Sequence, residues 1–194
     1  MTTFAASIAA SDHDARENDA GAGYSSVGAN LTADAHTNAA DRSRAGLYFP
    51  TVTIPPGSKI LTATLAVEVI STTHDDPSCD IHLNDVDDAN DFTAEADVFS
   101  RAITTASAEW SDTTVGAGQE TSPDFAAVVQ EVIDRPGWAY NSAICIIVKG
   151  KDATGSTFRF EAWDASGTPA AVSITYIPPT VRVQHHRQQQ GSSQ

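Results

Sequence analysis

Positive charge is what this 194-residue chain has least of: 11 Lys and Arg stand against 25 Asp and Glu, for a formal net charge of −14. Nucleic-acid binding depends on clustered cations that displace counterions from phosphates, so this balance excludes a phosphate-binding surface as the main activity. Long apolar runs are missing too. No stretch approaches the roughly 20 residues that a bilayer-spanning helix requires, so no membrane partner is expected. The opening MTTFAASIAASDHD lacks a basic segment followed by an apolar one and reads as a mature start rather than a leader.

Cysteine is limited to Cys79 and Cys145. Both lie in apolar runs, CDIHL and AICIIVK, where a buried thiol is the expected state rather than a bridge. The six histidines, His13, His36, His74, His82, His185 and His186, form no His-x-x-x-His pair, and there is no Cys-x-x-Cys, so a closed zinc site is not expected. A Gly-x-Ser-x-Gly nucleophile elbow is also absent.

What the chain does have is period-two alternation. In RAGLYFPTVTIPPGSKILTATLAVEVI, Leu47 and Phe49 alternate with Tyr48, Val52 and Ile54 alternate with Thr, and Pro55-Pro56-Gly57 makes a turn. Leu61, Ala63, Leu65, Val67 and Val69 then share one face, with Thr62, Thr64, Ala66 and Glu68 on the other. The pattern recurs at Cys79–Leu83, at Thr157–Trp163 and at Val172, Ile174 and Tyr176, whereas AICIIVK is apolar on both faces and suits a central strand covered on each side or one lying under the helix. The segment from Asp87 to Trp110 reads as a long loop with short strands. These features predict an all-β fold, an antiparallel two-sheet β-sandwich of jelly-roll type, over residues 1–177. Residues 178–194 form a polar, Gln-rich tail.

One stretch breaks the pattern. In SPDFAAVVQEVIDRPGW, Phe125, Val128, Val129, Val132 and Ile133 follow helical spacing, giving one short amphipathic helix. Ser122 stands where a cap would, with Pro123 in the first turn and Asp124 at the positive end of the dipole. Pro136-Gly137 ends the helix, Gln130, Glu131 and Asp134 fall on its exposed side, and Trp138 is expected to close the sandwich end.

Three groups of residues could carry chemistry. Asp12, Asp14 and Glu17, and separately Asp85 and Asp87, place hard oxygen ligands in loops and are candidates for a structural calcium, although neither cluster has the glycine and twelfth-position glutamate of an EF-hand. Trp163 shares strand parity with Arg159 and Glu161, an aromatic platform beside hydrogen-bonding groups of the kind that binds glycans. The carboxylate pairs Glu131/Asp134 and Glu161/Asp164 have the proximity that glycoside hydrolysis uses, but sequence neighbours always do, and solvated surface carboxylates account for them as well.

RSRAGLYFPTVTIPPGSKILTATLAVEV resembles the DNRLRE-like jelly-roll module, in which an Arg-containing strand, a V-x-I-P-x-G turn and an I-x-x-A-x-L strand follow one another. Arg44, Ile54, Pro55, Gly57, Ile60, Ala63 and Leu65 stand at the matching places. SIAASDHDARE, DRPGWA, FRFEAWD and the closing SITY are similar to further parts of such modules, so the resemblance extends over most of residues 7–177. It implies a sandwich without catalysis of its own, of a kind found in secreted polysaccharide-active or surface proteins and similar to exposed virion proteins of tailed phages. The expectation is a non-enzymatic structural or interaction protein, a phage virion or capsid-decoration component at the virion surface. It would dock on a capsid or other virion subunit through Val181, Arg182, Val183, His185, His186 and Arg187, and could form a homo-oligomer such as a trimer. The alternative is an extracellular, non-catalytic carbohydrate-binding module, and a third reading is a polysaccharide lyase or hydrolase acting through Glu131 or Glu161. No cofactor beyond the calcium is expected.

Overall fold

Alternating residues that can bury one face form strands, and in a computed structural model they do so eleven times. The structure describes residues 1–20, 23–70, 77–93, 97–112, 115–153, 155–165 and 167–180. In chain order the strands are β1 (Thr2–Ser7), β2 (Asp14–Asn18), β3 (Asn30–Thr32), β4 (Ser43–Phe49), β5 (Lys59–Val69), β6 (Ser78–Leu83), β7 (Ala108–Ser111), β8 (Gly118–Thr121), β9 (Ile144–Gly150), β10 (Arg159–Glu161) and β11 (Ala171–Ile177). The one α-helix among the described residues, α1, spans Ala126–Ile133.

All pairings are antiparallel. The first sheet runs β1-β11-β5-β10-β3 with β8 on the other edge of β5, and the second runs β2-β4-β9-β6-β7. Taking β1, β4, β5, β6, β7, β8, β9 and β11 as eight successive strands, the first sheet has the order one-eight-three-six and the second two-seven-four-five. That order is the double Greek key of a jelly roll. The predicted all-β sandwich with one short helix is therefore the fold.

Between the sheets lie Leu47, Phe49, Leu65, Val67, Ile81, Leu83, Ile146, Val148, Phe158, Phe160 and Ile174, all buried. Each large side chain removed from water there contributes about 1.5–3 kcal/mol. Strand β9 is central, and its second face (Cys145, Ile147) packs with Ala15, Phe92 and Val98 under the segment that follows β6. The double-sided apolarity of AICIIVK is thus accounted for by that segment, which reads as a covering loop. Cys79 belongs to the core between the sheets and Cys145 to the outer cluster, so both remain free buried thiols on opposite sides of one sheet.

Two sequence expectations are corrected locally. Leu61 does not share the buried face of Ala63 and Leu65: Thr62 pairs with Thr175 and Ile60 with Tyr176, so a β-bulge at Leu61 shifts the alternation and Ile60 takes the buried place. Ser122 does not cap the helix, which begins only after Phe125 and has no side-chain cap. Residues 122–125 instead prolong the pairing with β5: the Ser122 N–H donates to the Leu65 carbonyl and the Phe125 N–H to that of Ala63. In return the β5 N–H groups of Leu65, Ala63 and Ile60 donate to the Ser122 hydroxyl, the Asp124 carboxylate and the Gln130 amide oxygen at 2.7–2.9 Å. Side chains of the helix segment substitute for a neighbouring strand, while Val128, Val129, Val132 and Ile133 close the core. Trp138 is buried beyond the helix, its indole N–H on the Ile54 carbonyl.

Candidate functional site

Strand β2 is an edge strand, and its alternation sorts the acidic residues that the sequence groups together. Asp14 and Arg16 pair with Leu47 and Ala45 and face the inter-sheet side, whereas Ala15 joins the outer cluster and Glu17 lies on that same outer side. Glu17 is fully buried, its Oε2 accepting the N–H groups of Val98 and Phe99, and so it anchors the covering loop. Asp12 lies exposed in the 3-10 turn Ser11–His13. Asp12, Asp14 and Glu17 therefore do not converge, and among the described residues no three His, Cys, Asp or Glu side chains come together in a metal-binding group.

A different set does meet there. Beyond β10 the chain turns at Ala162–Ala165, and the Trp163 N–H donates to Asp14 Oδ2 at 2.7 Å. The Ser11 hydroxyl donates to Asp164 Oδ2 at 2.7 Å. Trp163, the glycan candidate, and Asp14, the calcium candidate, thus share one corner of the sandwich. The Trp163 side chain is partly open, the residue being 39% exposed, while Arg159 and Glu161 are half-buried. Glu161 is overlaid by Gly167, where a Cβ would stand 1.4 Å from Glu161 Oε2, so a larger residue there would displace the Glu161 carboxylate.

Polar satisfaction fails around β2, on both of its faces. Native folds leave few buried polar atoms without partners. Of the eight such side-chain atoms among the described residues, seven belong to His13, Asp14, Arg16, Glu17, Tyr24, Asp34 and Glu161, all on or around β2. Burial pushes the Asp14 carboxyl up to about 7, opposed by the Trp163 N–H and reinforced by the Asp164 charge. Asp34 is raised as well, chiefly by burial, with Ser43, Arg159 and Arg16 pulling the other way.

The remaining candidates have structural partners. Asp85 and Asp87 both receive the Arg135 guanidinium, and Asp87 Oδ2 lies 2.0 Å from where a Cβ on Gly137 would be, which explains the glycine after Pro136. Glu131, expected at the surface, accepts the N–H groups of Thr105 and Ala106 at 2.8 and 2.7 Å and ties the helix to the covering loop. Asp134 accepts from the Gln130 amide. An acidic cleft of about 490 Å³ opens in the covering loop. It is organised by Arg101, which donates to the carbonyls of Asn90, Asp91 and Asp97 and lies over the Phe92 ring. Arg44, part of the DNRLRE-like motif, pairs with Asp19 and lies over Phe99.

The two sheets differ in what covers them. The second sheet is clad by the loop carrying Phe92 and Val98, but the outer face of the first presents Thr3, Ala5, Ser7, Thr62, Thr64, Ala66, Ser173 and Thr175 at its surface, with a shallow groove of about 440 Å³. Tail residues Val181, Arg182, Val183, His185, His186 and Arg187 lie outside the described residues. No protein-family model matches the chain and no curated protein matches its sequence, so the DNRLRE-like resemblance rests on the quoted motifs.

Proposed function

We propose that this chain is a non-enzymatic structural and interaction protein, of the kind that decorates a virion surface, and that it works by docking on neighbouring subunits. The observation that carries this reading is the outer face of the first sheet, which is exposed among the described residues. Small uncharged side chains line its groove, with Glu68, Arg159 and Glu161 confined to the β10 end of the face, and such side chains let a second flat surface approach closely at little cost in side-chain entropy. Charge favours another copy of the same chain as the partner. Every acidic residue precedes position 181, whereas the tail VRVQHHRQQQGSSQ carries Arg182 and Arg187 and no carboxylate side chain. A cationic tail and an acidic body are complementary between copies.

Light scattering on the full chain, with Ser173→Arg and Ala66→Arg as interface variants, tests the proposal. A homo-oligomer, a trimer for a virion sandwich, is expected for the parent chain, with monomers for both variants. A parent chain that stays monomeric at high concentration, or an oligomer indifferent to both substitutions, rejects docking through this face.

A second reading, a carbohydrate-binding module, is favoured by the partly exposed Trp163 in the turn that follows Arg159 and Glu161, although β10 ends before it and the shared strand parity expected for the three is not kept. It predicts calorimetric binding to a polysaccharide that Trp163→Ala abolishes, and retained binding in that variant rejects it.

A further inference from the structure

Resting on the reading of the chain as a docking protein, we propose that the free edge of β1 receives residues 181–184 of a neighbouring copy's tail as an added strand. Sheet edges carry unpaired N–H and C=O groups, and folds blunt them with charge, proline or shortness. Among the described residues the edge strands are β1, β2, β3, β7 and β8. Asp14, Arg16 and Glu17 put charge on β2, which also bridges to Ser25. Glu109 and Glu120 do the same for β7 and β8, of four residues each, and β3 has only three. None of these guards protects β1: TTFAAS is six residues long, without charge or proline, and pairs with β11 in unbroken register.

The ladder fixes which groups are free. Opposite residues of an antiparallel pair alternate between exchanging both hydrogen bonds and exchanging none. The Ile8 N–H donates to the Ala170 carbonyl, in register with Ala6 opposite Val172 and Phe4 opposite Ile174. Thr2, Phe4 and Ala6 therefore bond to β11, while the N–H and C=O groups of Thr3, Ala5 and Ser7 point away from it. The next ladder agrees, since Leu65, opposite Val172, exchanges its hydrogen bonds with Ser122 rather than with β11. Thr3, Ala5 and Ser7 are exposed, and Phe4 and Ala6, which face the core, are only partly covered.

Pattern, charge and position point to the tail of another copy as the occupant. Val181 and Val183 alternate with Arg182 and Gln184, so an added strand would set its valines beside Phe4 and Ala6. Fourteen residues follow Thr180, more than the six of β1. The tail has no carboxylate side chain, whereas the body it would meet holds all 25 acidic residues. Its own β1 lies in the wrong direction. Ile177 pairs with Lys59 of β5, and Pro179 lies against the turn before β5, 3.9 Å from where a Cβ on Gly57 would be. That turn is on the side of β11 opposite β1, so the tail starts away from its own edge and the addition is between copies. Such head-to-tail contacts are heterologous and close into rings, a trimer among them.

Light scattering on full chains carrying Ala5→Pro or Val183→Pro tests this. Proline at position 5 removes only an outward N–H, the place where an edge strand tolerates it, so circular dichroism and melting should show the parent's fold. If that chain does not fold, Thr3→Pro replaces it, for the same N–H geometry. Each variant alone should be monomeric, the first lacking the receiving edge and the second the inserting strand. Mixed one to one, they should form a heterodimer through the intact tail of the first and the intact edge of the second. Either variant associating alone as strongly as the parent chain, or two folded variants giving no heterodimer, overturns the proposal. An oligomer that Ser173→Arg and Ala66→Arg dissolve but both prolines spare refutes strand addition and leaves docking through the outer face standing, whereas a monomeric parent chain refutes both.

Discussion

Asp14 shows how much one residue's meaning depends on where its two oxygens go. In sequence it is one acidic residue among several; in the fold one oxygen clamps the Trp163 turn and the other is stranded. Because burial raises its pKa to about 7, the folded chain keeps a proton between pH 4 and 7 that the unfolded chain releases. The stability linked to this group is therefore complete below about pH 4 and is lost as pH rises through 7, by up to about 4 kcal/mol. Asp14→Asn should flatten this dependence, so that the variant gains on the parent chain between pH 5 and pH 8. Urea midpoints at the two pH values check it, and parallel changes in both proteins would reject the assignment. Glu17 and Glu131 are the contrasting case: each accepts two backbone N–H groups and serves to hold the covering loop.

At the scale of elements, the helix and β5 explain one another. The apolar face of α1 was legible from its spacing, because helical periodicity survives any tertiary setting. Its start was not, because Ser122 and Asp124 can serve either a helix end or a strand edge, and β5 supplies the unpaired N–H groups that decide the matter. Ser122→Ala leaves the buried Leu65 N–H without an acceptor and should cost about 1–3 kcal/mol. Gln130→Ala, where water can reach the Ile60 N–H more readily, should cost less. Urea denaturation of the two variants measures the difference, and equal losses would mean that the β5 edge is not held as described. The bulge at Leu61 was equally hidden, since one inserted residue leaves a sequence that still alternates.

For the whole molecule, the two sheets and the central place of β9 were foreseen by alternation and by one doubly apolar run, whereas the loop over its outer face came from the structure. The separation of Cys79 and Cys145 onto opposite sides of a sheet predicts that reductant leaves the melting temperature unchanged. A drop on reduction, measured by differential scanning fluorimetry, would reveal a bridge this arrangement forbids. The corner site was only half legible. Asp14 and Trp163 each stood out by residue type, but to different ends, and nothing in the chain linked them or pointed to Asp164 as the neighbour of Asp14. The sequence by itself determined the all-β class, the buried faces of β4, β6, β10 and β11 and the existence of the helix, because hydrophobic periodicity is local. Only the tertiary structure decided which carboxylates are bound to arginine and which to backbone, because those partners are set by sheet order between residues as far apart as 14 and 163.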